Sequence, residues 1–340
     1  GQPGTIQPFK EQPIVFSIFQ EYKRWGKVLE VSNAGQLNNL VRRGEIQDFI
    51  QVAEALHDRK ISEIADGIAA RRATVRLVLI AGPSSSGKTT FTKKLSVQLR
   101  VLGFNPVAVS VDDYFLPREQ TPKDENGEYD FETIDALDVE LLNDHLCALL
   151  GGEEVEIPEF DFKAGKPRTS GRKLRLERRN IVMIEGIHGL NRQLTHRIQP
   201  ETKFPIYISA LTQLNIDDHN RIPTTDVRLL RRMVRDHQFR GYSALDTLSR
   251  WPSVRKGELR NIFPHENNAV VAFNSSLDYE LSVIKGYAEP LLRTIKPFHD
   301  MYGEAVRLMR FLSNFVMVTP KHVPSYSILR EFIGDSGLEY

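Results

Sequence analysis

From residue 75 onward the chain alternates short apolar runs with longer stretches of helical spacing. Val75-Arg76-Leu77-Val78-Leu79-Ile80-Ala81 is rich in branched side chains and runs into Gly82-Pro83, the pattern of a buried parallel strand. Residues 88–102 have helical spacing and end at Gly103, a residue suited to closing a helix. Residues 106–111, 181–184, 204–209 and 269–273 read as further strands. Residues 139–150 read as a helix stopped by Gly151-Gly152. Strands alternating with helices predict an α/β fold, a parallel β-sheet flanked by helices on both faces with right-handed crossovers. Upstream, Leu37, Leu40 and Val41, then Ile46, Phe49 and Ile50, then Ile61, Ile64 and Ala65 recur at helical intervals, so residues 14–70 read as helical up to a boundary at Arg71-Arg72. Downstream, residues 279–292, 304–315 and 327–332 return to helical spacing. The expected organisation is an N-terminal helical segment over 1–73, an α/β domain over 74–276 and a C-terminal helical extension over 277–340. Polar residues 121–130 predict a mobile loop.

Composition narrows the class of protein. With 41% hydrophobic and 26% charged residues, the 340-residue chain is ordinary globular material rather than a disordered one. Forty-five Lys and Arg against 44 Asp and Glu leave no bulk drive onto nucleic acid or anionic lipid, so neither partner is expected. Any attraction for phosphate must come from a local cluster. The single cysteine, Cys147, rules out a disulfide framework, and no apolar run approaches the roughly 20 residues that span a bilayer. A start at Gly1-Gln2-Pro3-Gly4 has no signal-peptide pattern. These features predict a cytoplasmic location. A chain opening on Gly rather than Met also predicts a cleaved tag or a truncation, with sequence missing upstream.

One stretch carries chemistry unmistakably. Gly82-Pro83-Ser84-Ser85-Ser86-Gly87-Lys88-Thr89 matches G-x-x-x-x-G-K-[ST] in full, between a predicted strand and a predicted helix. Its glycines let the backbone N–H groups of Gly82, Ser84, Ser85, Ser86 and Gly87 turn inward on phosphate, and the helix after it, with Thr90 in its first turn, presents its positive end. Lys88 should reach the β- and γ-phosphates of ATP, and the Thr89 hydroxyl should bind Mg²⁺. Asp112 and Asp113 follow the second apolar run, beyond the strand ends where ligands collect in open α/β sheets. Asp112, directly after that run, is the better placed to take a proton from an attacking hydroxyl. Glu185 ends another apolar strand and should lie beside Mg²⁺.

Basic residues form two further groups. Arg228, Arg231, Arg232 and Arg235 recur at i, i+3, i+4 and i+7, which predicts one stripe of guanidinium groups pointing outward from a helix and wanting an anion. Arg240 follows just before Gly241. Lys163, Lys166, Arg168, Arg172, Lys173, Arg175, Arg178 and Arg179 make a second basic stretch, read as a charged hairpin beside the nucleotide site. His188 and His219 have no paired ligands in sight, so no metal role is assigned to them.

Together these motifs resemble the uridine kinase and phosphoribulokinase family of P-loop kinases, from about Val75 to about Phe273. Ser110-Val111-Asp112-Asp113-Tyr114-Phe115 resembles an S-x-D-x-[FY]-[YF] element whose aspartate is the catalytic base, which implies that role for Asp112 and places Tyr114 among the acceptor's contacts. Phe131-Glu132-Thr133-Ile134-Asp135-Ala136-Leu137-Asp138 resembles F-D-H-P-D-A-F-D, whose first acid binds ribose hydroxyls; Glu132 stands there. Ile157-Pro158-Glu159-Phe160-Asp161-Phe162 resembles I-P-x-Y-D-F, with Phe160 in place of the tyrosine that lines the nucleoside pocket. Glu185-Gly186 matches the E-G after the Walker-B-like strand, and residues 228–236 resemble the lid element R-L-x-R-R-x-x-R-D. Two departures weaken uridine as the acceptor: Phe160 lacks the hydroxyl, and Lys163-Ala164-Gly165-Lys166 lacks the histidine that helps read the pyrimidine. Residues 20–26 and 327–334 resemble one branch, bacterial nucleoside-kinase-like proteins, whose upstream threonyl-tRNA-synthetase-like modules are absent here.

The expectation is therefore an ATP- and Mg²⁺-dependent kinase acting on a primary hydroxyl, foremost the 5′-hydroxyl of a nucleoside. Lys88, Asp112 and Arg235 would be catalytic, with Asp112, Tyr114, Glu132, Phe160 and Arg232 on the acceptor. Arg232, Arg235 and Arg240 would close over the phosphates, and Thr89 with Glu185 would hold Mg²⁺. The rivals are a kinase of a sugar or sugar phosphate and an ATP-binding regulatory module with little catalysis. A GTPase is disfavoured, because N-K-x-D and D-x-x-G motifs are missing. Residues 1–73 and 277–340 give no chemical signal; either could mediate homo-oligomerisation.

Overall fold

The computed structural model describes residues 12–123, 127, 129–161 and 164–339, so the polar loop expected over 121–130 lies partly outside the described residues. The chain opens with three helices, α1 (Pro13–Leu29), α2 (Ala34–Arg43) and α3 (Ile46–Ala70). There follow β1 (Leu77–Ala81), α4 (Lys88–Val101), β2 (Asn105–Ser110), α5 (Val139–Leu150), β3 (Glu154–Asp161), β4 (Lys166–Arg175), β5 (Asn180–Glu185) and β6 (Lys203–Ser209). The remainder is α6 (Thr224–Arg240), α7 (Ala244–Asn261), β7 (Val271–Asn274), α8 (Glu280–Leu292), α9 (Tyr302–Leu312) and the single-turn α10 (Arg330–Ile333).

Five strands form one sheet in the order β2-β5-β1-β6-β7, every pairing parallel. All five residues of β1 are buried, because the sheet is covered on both faces. The alternation of side chains sorts them between two cores. Val78, Ile80, Met183 and Ile206 face one with Phe91, Leu95 and Leu99 of α4; Leu77, Leu79, Val182 and Ile184 face the other with Leu142, Leu146 and Leu149 of α5. Each fully buried aliphatic or aromatic side chain contributes roughly 1.5–3 kcal/mol. Both flanking segments join the larger core: Leu37, Ile50 and Ile64 enter from upstream, and Ile284, Leu308 and Phe332 from downstream.

Two local features depart from the pattern reading. Periodicity passes over α7, whose buried positions include Thr247, Gly257 and Glu258 and which contains Pro252; its start is fixed instead by a capping box between Ser243 and Asp246. The outward stripe of arginines expected from α6 is corrected. Arg228 and Arg231 are 1% and 0% exposed, since α7, α8 and α10 cover that side of the helix. The charged hairpin forms over β3 and β4 only: Lys163 lies outside the described residues, no hairpin residue lines the cleft at the phosphate loop, and Arg178 and Arg179 fall beyond β4 at the other end of the sheet. β3 and β4 pair antiparallel, and Arg168–Glu159 (2.6 Å) and Lys173–Glu154 (3.2 Å) bridge the two strands.

Candidate active site

The phosphate loop connects β1 to α4 at the carbonyl end of the sheet. Its shape needs its glycines. A Cβ on Gly82 would stand 2.2 Å from the Ile208 carbonyl oxygen, and Gly87 has φ +81 with Ile328 2.5 Å from where its Cβ would be. The two buried arginines brace this loop from behind. Arg228 donates from Nε to the Ser84 carbonyl (2.9 Å) and pairs with Glu258, whose carboxylate also accepts the Ser84 N–H (3.1 Å). Arg231 pairs with Glu280 (2.6 Å), bonds the Ser275 carbonyl (2.8 Å) and lies over the Phe332 ring. Each buried cation thus has the carboxylate partner that burial demands.

In front of the loop lies a cleft of about 550 Å³. It brings together Ser84, Ser85, Ser86, Gly87, Lys88 and Thr89 with Asp112, Glu132, Glu185, Arg232, Arg235 and Arg240. Asp112 sits in a 3-10 turn just past β2, capped by the Ser110 hydroxyl, and opens on the cleft. Its walls hinder solvation, which pushes the Asp112 carboxyl above the usual carboxylate range against the pull of Lys88 and Arg240. Burial lowers the Lys88 ammonium, opposed by Glu185, Glu331 and Asp112. Burial also raises Glu132, opposed by Arg232 and Lys88. Glu185 is raised to about 6, again chiefly by burial, then by the negative charges of Glu331 and Asp112. Three arginines converge on Asp236, at 2.8 Å for Arg235, 3.2 Å for Arg232 and 3.6 Å for Arg240, which keeps them together beside the cleft. Arg232 also donates to the Ser84 hydroxyl (2.8 Å).

Thr89 and Glu185 fit Mg²⁺. The Thr89 hydroxyl lies 3.1 Å from a Glu185 oxygen, which joins two hard oxygen donors of the kind Mg²⁺ takes while sharing the rest of its shell with phosphate and water. Among the described residues no group of three or more His, Cys, Asp or Glu is placed to hold a metal by itself.

Two sequence-predicted contacts point elsewhere. Tyr114 is buried in the α5-side core and its hydroxyl meets His145 Nδ1 at 3.1 Å, so it does not line the cleft. Phe160 is buried behind Phe115, ring centroids 5.6 Å apart; Phe115 and Phe131 supply the aromatic wall instead. Pattern reading also missed three residues. Glu258 sits on the helix that periodicity passed over. His188 lines the cleft with both ring nitrogens buried and is lowered to about 4 by burial, hence neutral. Glu331 reaches back from α10, and its Oε2 accepts both the Thr90 N–H (3.0 Å) and the Thr90 hydroxyl (2.7 Å) in the first turn of α4. Nothing in a lone C-terminal glutamate signals that placement. A second cavity of about 390 Å³ adjoins the cleft, sharing Thr89, Arg235, Arg240 and Glu331, with Phe239 and Leu338 among its walls.

A phosphate loop at the end of the first strand of a parallel sheet, with acids from the ends of β2 and β5 and arginines from α6 around it, defines a P-loop phosphotransferase. The sequence profile of the Phosphoribulokinase / Uridine kinase family matches residues 77–281, more than half of the chain, and the protein belongs to that family. Uridine kinase of Staphylococcus haemolyticus is 28% identical over 54% of this chain and 79% of its own length. Uridine kinase of Chloroflexus aurantiacus is 27% identical over 58% of this chain and 85% of its own. The solved structure of a possible uridine kinase from Bacillus stearothermophilus is 19% identical, covering 63% of this chain and all of that one, with a TM-score of 0.39. The protein is accordingly a kinase, with a hydroxyl-bearing small molecule as acceptor. No helix among the described residues is long and apolar enough to cross a membrane.

Proposed function

We propose that the protein transfers the γ-phosphoryl group of ATP to the 5′-hydroxyl of a nucleoside. The observation that carries the reading is Asp112. It faces the same cleft as Lys88 and the phosphate loop, from beyond β2, which β5 separates from β1. ATP would lay its phosphates on the loop from Gly82 to Thr90 and its base in the adjoining cavity between Phe239 and Leu338. Thr89 and Glu185 would hold Mg²⁺, which when bound neutralises charge on the phosphates.

Asp112 would accept a hydrogen bond from the acceptor hydroxyl, align it on the γ-phosphorus and take its proton as the new P–O bond forms. Its raised proton affinity suits that task. Lys88, Arg232 and Arg235 would counter the charge on the transferring group, with Asp236 holding the arginines in place beforehand. Arg240 would close the rim. Glu132, held at the cleft by its backbone bond to Asp130 (3.0 Å), would accept the sugar's remaining hydroxyls, while Phe115 and Phe131 flank the base. The catalytic unit would be residues 74–276, working in the cytoplasm.

The uridine kinases among the relatives support a nucleoside. A sugar or sugar phosphate is the second reading, favoured by Phe160, which cannot offer a hydroxyl to a base and is buried behind Phe115. ADP formation measured with ATP, Mg²⁺ and a panel of nucleosides, sugars and sugar phosphates separates the two. Stimulation by a sugar alone rejects the nucleoside reading. Tight ATP binding with no stimulation by any acceptor rejects catalysis and leaves a regulatory nucleotide-binding module.

A further inference from the structure

At the opposite end of the sheet from the phosphate loop lies a cavity of about 910 Å³. Four arginines reach it: Arg72 beyond the end of α3, Arg76 just before β1, and Arg178 and Arg179 just before β5. No carboxylate lines it, and none of the four guanidinium groups makes an ion pair among the described residues. The hairpin that leads into Arg178 behaves differently, since Lys166, Arg168 and Lys173 are all paired with glutamates. The unpaired cations are also held in place. Arg76 is fixed by its N–H on the Thr202 carbonyl (2.9 Å) and its carbonyl on the Val182 N–H (3.0 Å). The Arg179 carbonyl accepts from Asn105 (2.9 Å) at the start of β2. Arg72 lies on the Phe104 ring, 4.5 Å from its centroid, and Arg76 Nε is buried with no hydrogen-bond partner.

Four like charges around one hollow repel one another, and an unpaired buried guanidinium nitrogen adds to the cost. A ligand with several negative oxygens relieves both. Arginine forks match phosphate oxygens two at a time. The volume is that of a small-molecule site. We propose that this cavity binds a chain of linked phosphates, as carried by a nucleoside triphosphate or by inorganic tripolyphosphate, at a site separate from the phosphate loop. Phe104, partly exposed beneath Arg72, offers a ring on which a base could stack. RNA is the less suited occupant. Of the hairpin cations, Lys166, Arg168 and Lys173 are neutralised by glutamates while Arg172 and Arg175 donate to the Ala108 and Gly152 carbonyls, so paired charges interrupt any basic track leading from the cavity.

The test uses the full chain carrying Lys88→Ala, which weakens the phosphate loop and makes the outcome independent of the kinase reading. Calorimetry with tripolyphosphate and with ATP, without Mg²⁺, should find one remaining site. Arg178→Ala with Arg179→Ala, both exposed and so harmless to folding, should weaken that site at least tenfold for both ligands, and Arg76→Gln should do likewise. Arg168→Ala, a paired hairpin cation, should leave it unchanged. Loss of ATP affinity alone in Phe104→Ala identifies the nucleoside triphosphate as the preferred source, and equal affinities in that variant identify the inorganic chain. The proposal is overturned if the Lys88→Ala protein binds neither ligand, if the arginine variants bind as well as their parent, or if a 12-nucleotide RNA binds through these arginines while tripolyphosphate does not.

Discussion

Glu331→Gln should tighten ATP binding, although it removes a residue from the wall of the nucleotide site. The Glu331 carboxylate takes the Thr90 N–H and hydroxyl, at 3.0 and 2.7 Å. Those donors belong to the helix end that receives a phosphate in the proposed reading. ATP therefore displaces a carboxylate before it can use them. A hydrogen bond to a charged group is worth about 1.5–3 kcal/mol. A carboxylate left about 5 Å from a phosphate at an effective dielectric of about 20 adds repulsion of roughly 3 kcal/mol. Rotation of Glu331 into the adjoining cavity relieves part of this, so a net 1.5–3 kcal/mol, about 10- to 100-fold in dissociation constant, is expected. Titration calorimetry with a non-hydrolysable ATP analogue and Mg²⁺ reads it directly, and Glu331→Ala should act in the same direction. Without nucleotide the variants should melt slightly lower, because α4 loses an anion at its first turn. With saturating nucleotide the order should reverse. Unchanged or weaker affinity in both variants would refute the reasoning and make Glu331 a contributor to binding rather than a competitor for it.

Asp112→Asn should lower turnover by a factor on the order of 10² or more with little change in ATP affinity, since only the proton acceptor is lost; single-turnover kinetics beside a binding titration checks both halves, and near-wild-type turnover would remove Asp112 from the mechanism. Glu185, with a pKa of about 6, gains a proton as pH falls through that value, and the proton competes with Mg²⁺. The Mg²⁺ concentration for half-maximal activity should then rise about tenfold per pH unit below 6 and stay level above about 7; a flat response from pH 5 to 7.5 contradicts the assignment. Glu258→Ala leaves Arg228 buried without its partner and should cost about 3–5 kcal/mol in denaturant unfolding, more than Glu159→Ala on the exposed hairpin, where a loss under about 1 kcal/mol is expected.

The strands were the most legible part of the chain, because a strand covered on both faces must be apolar along its buried length, as β1 is throughout and as β5 and β6 are over residues 181–184 and 204–208. Their order was not legible, since every parallel pairing buries equivalent side chains. The cradle could be read from its string of residues because glycine at Gly82 and Gly87 is forced by close approach and by positive φ. The arginine stripe misled for a definite reason. Helical spacing reports which residues share a face, but it does not say whether that face meets solvent or another helix. Arg228 and Arg231 turn inward because Glu258 and Glu280 wait there, on elements 30 and 49 residues further along. Tyr114 shows the same limit at shorter range, since two residues of 3-10 helix separate Asp112, facing the cleft, from Tyr114, facing the core. Glu331 was beyond reach of any local rule.

The supports of the cradle come from far along the chain. Arg228 holds the Ser84 carbonyl from 144 residues away, and Glu331 meets Thr90 across 241. Contacts that close loops of this length form late on the folding path. A nascent or refolding molecule can therefore complete its sheet and still have no competent nucleotide pocket. Nucleotide should then act on only one limb of the kinetics, slowing escape from the native state while leaving the rate of arrival unchanged.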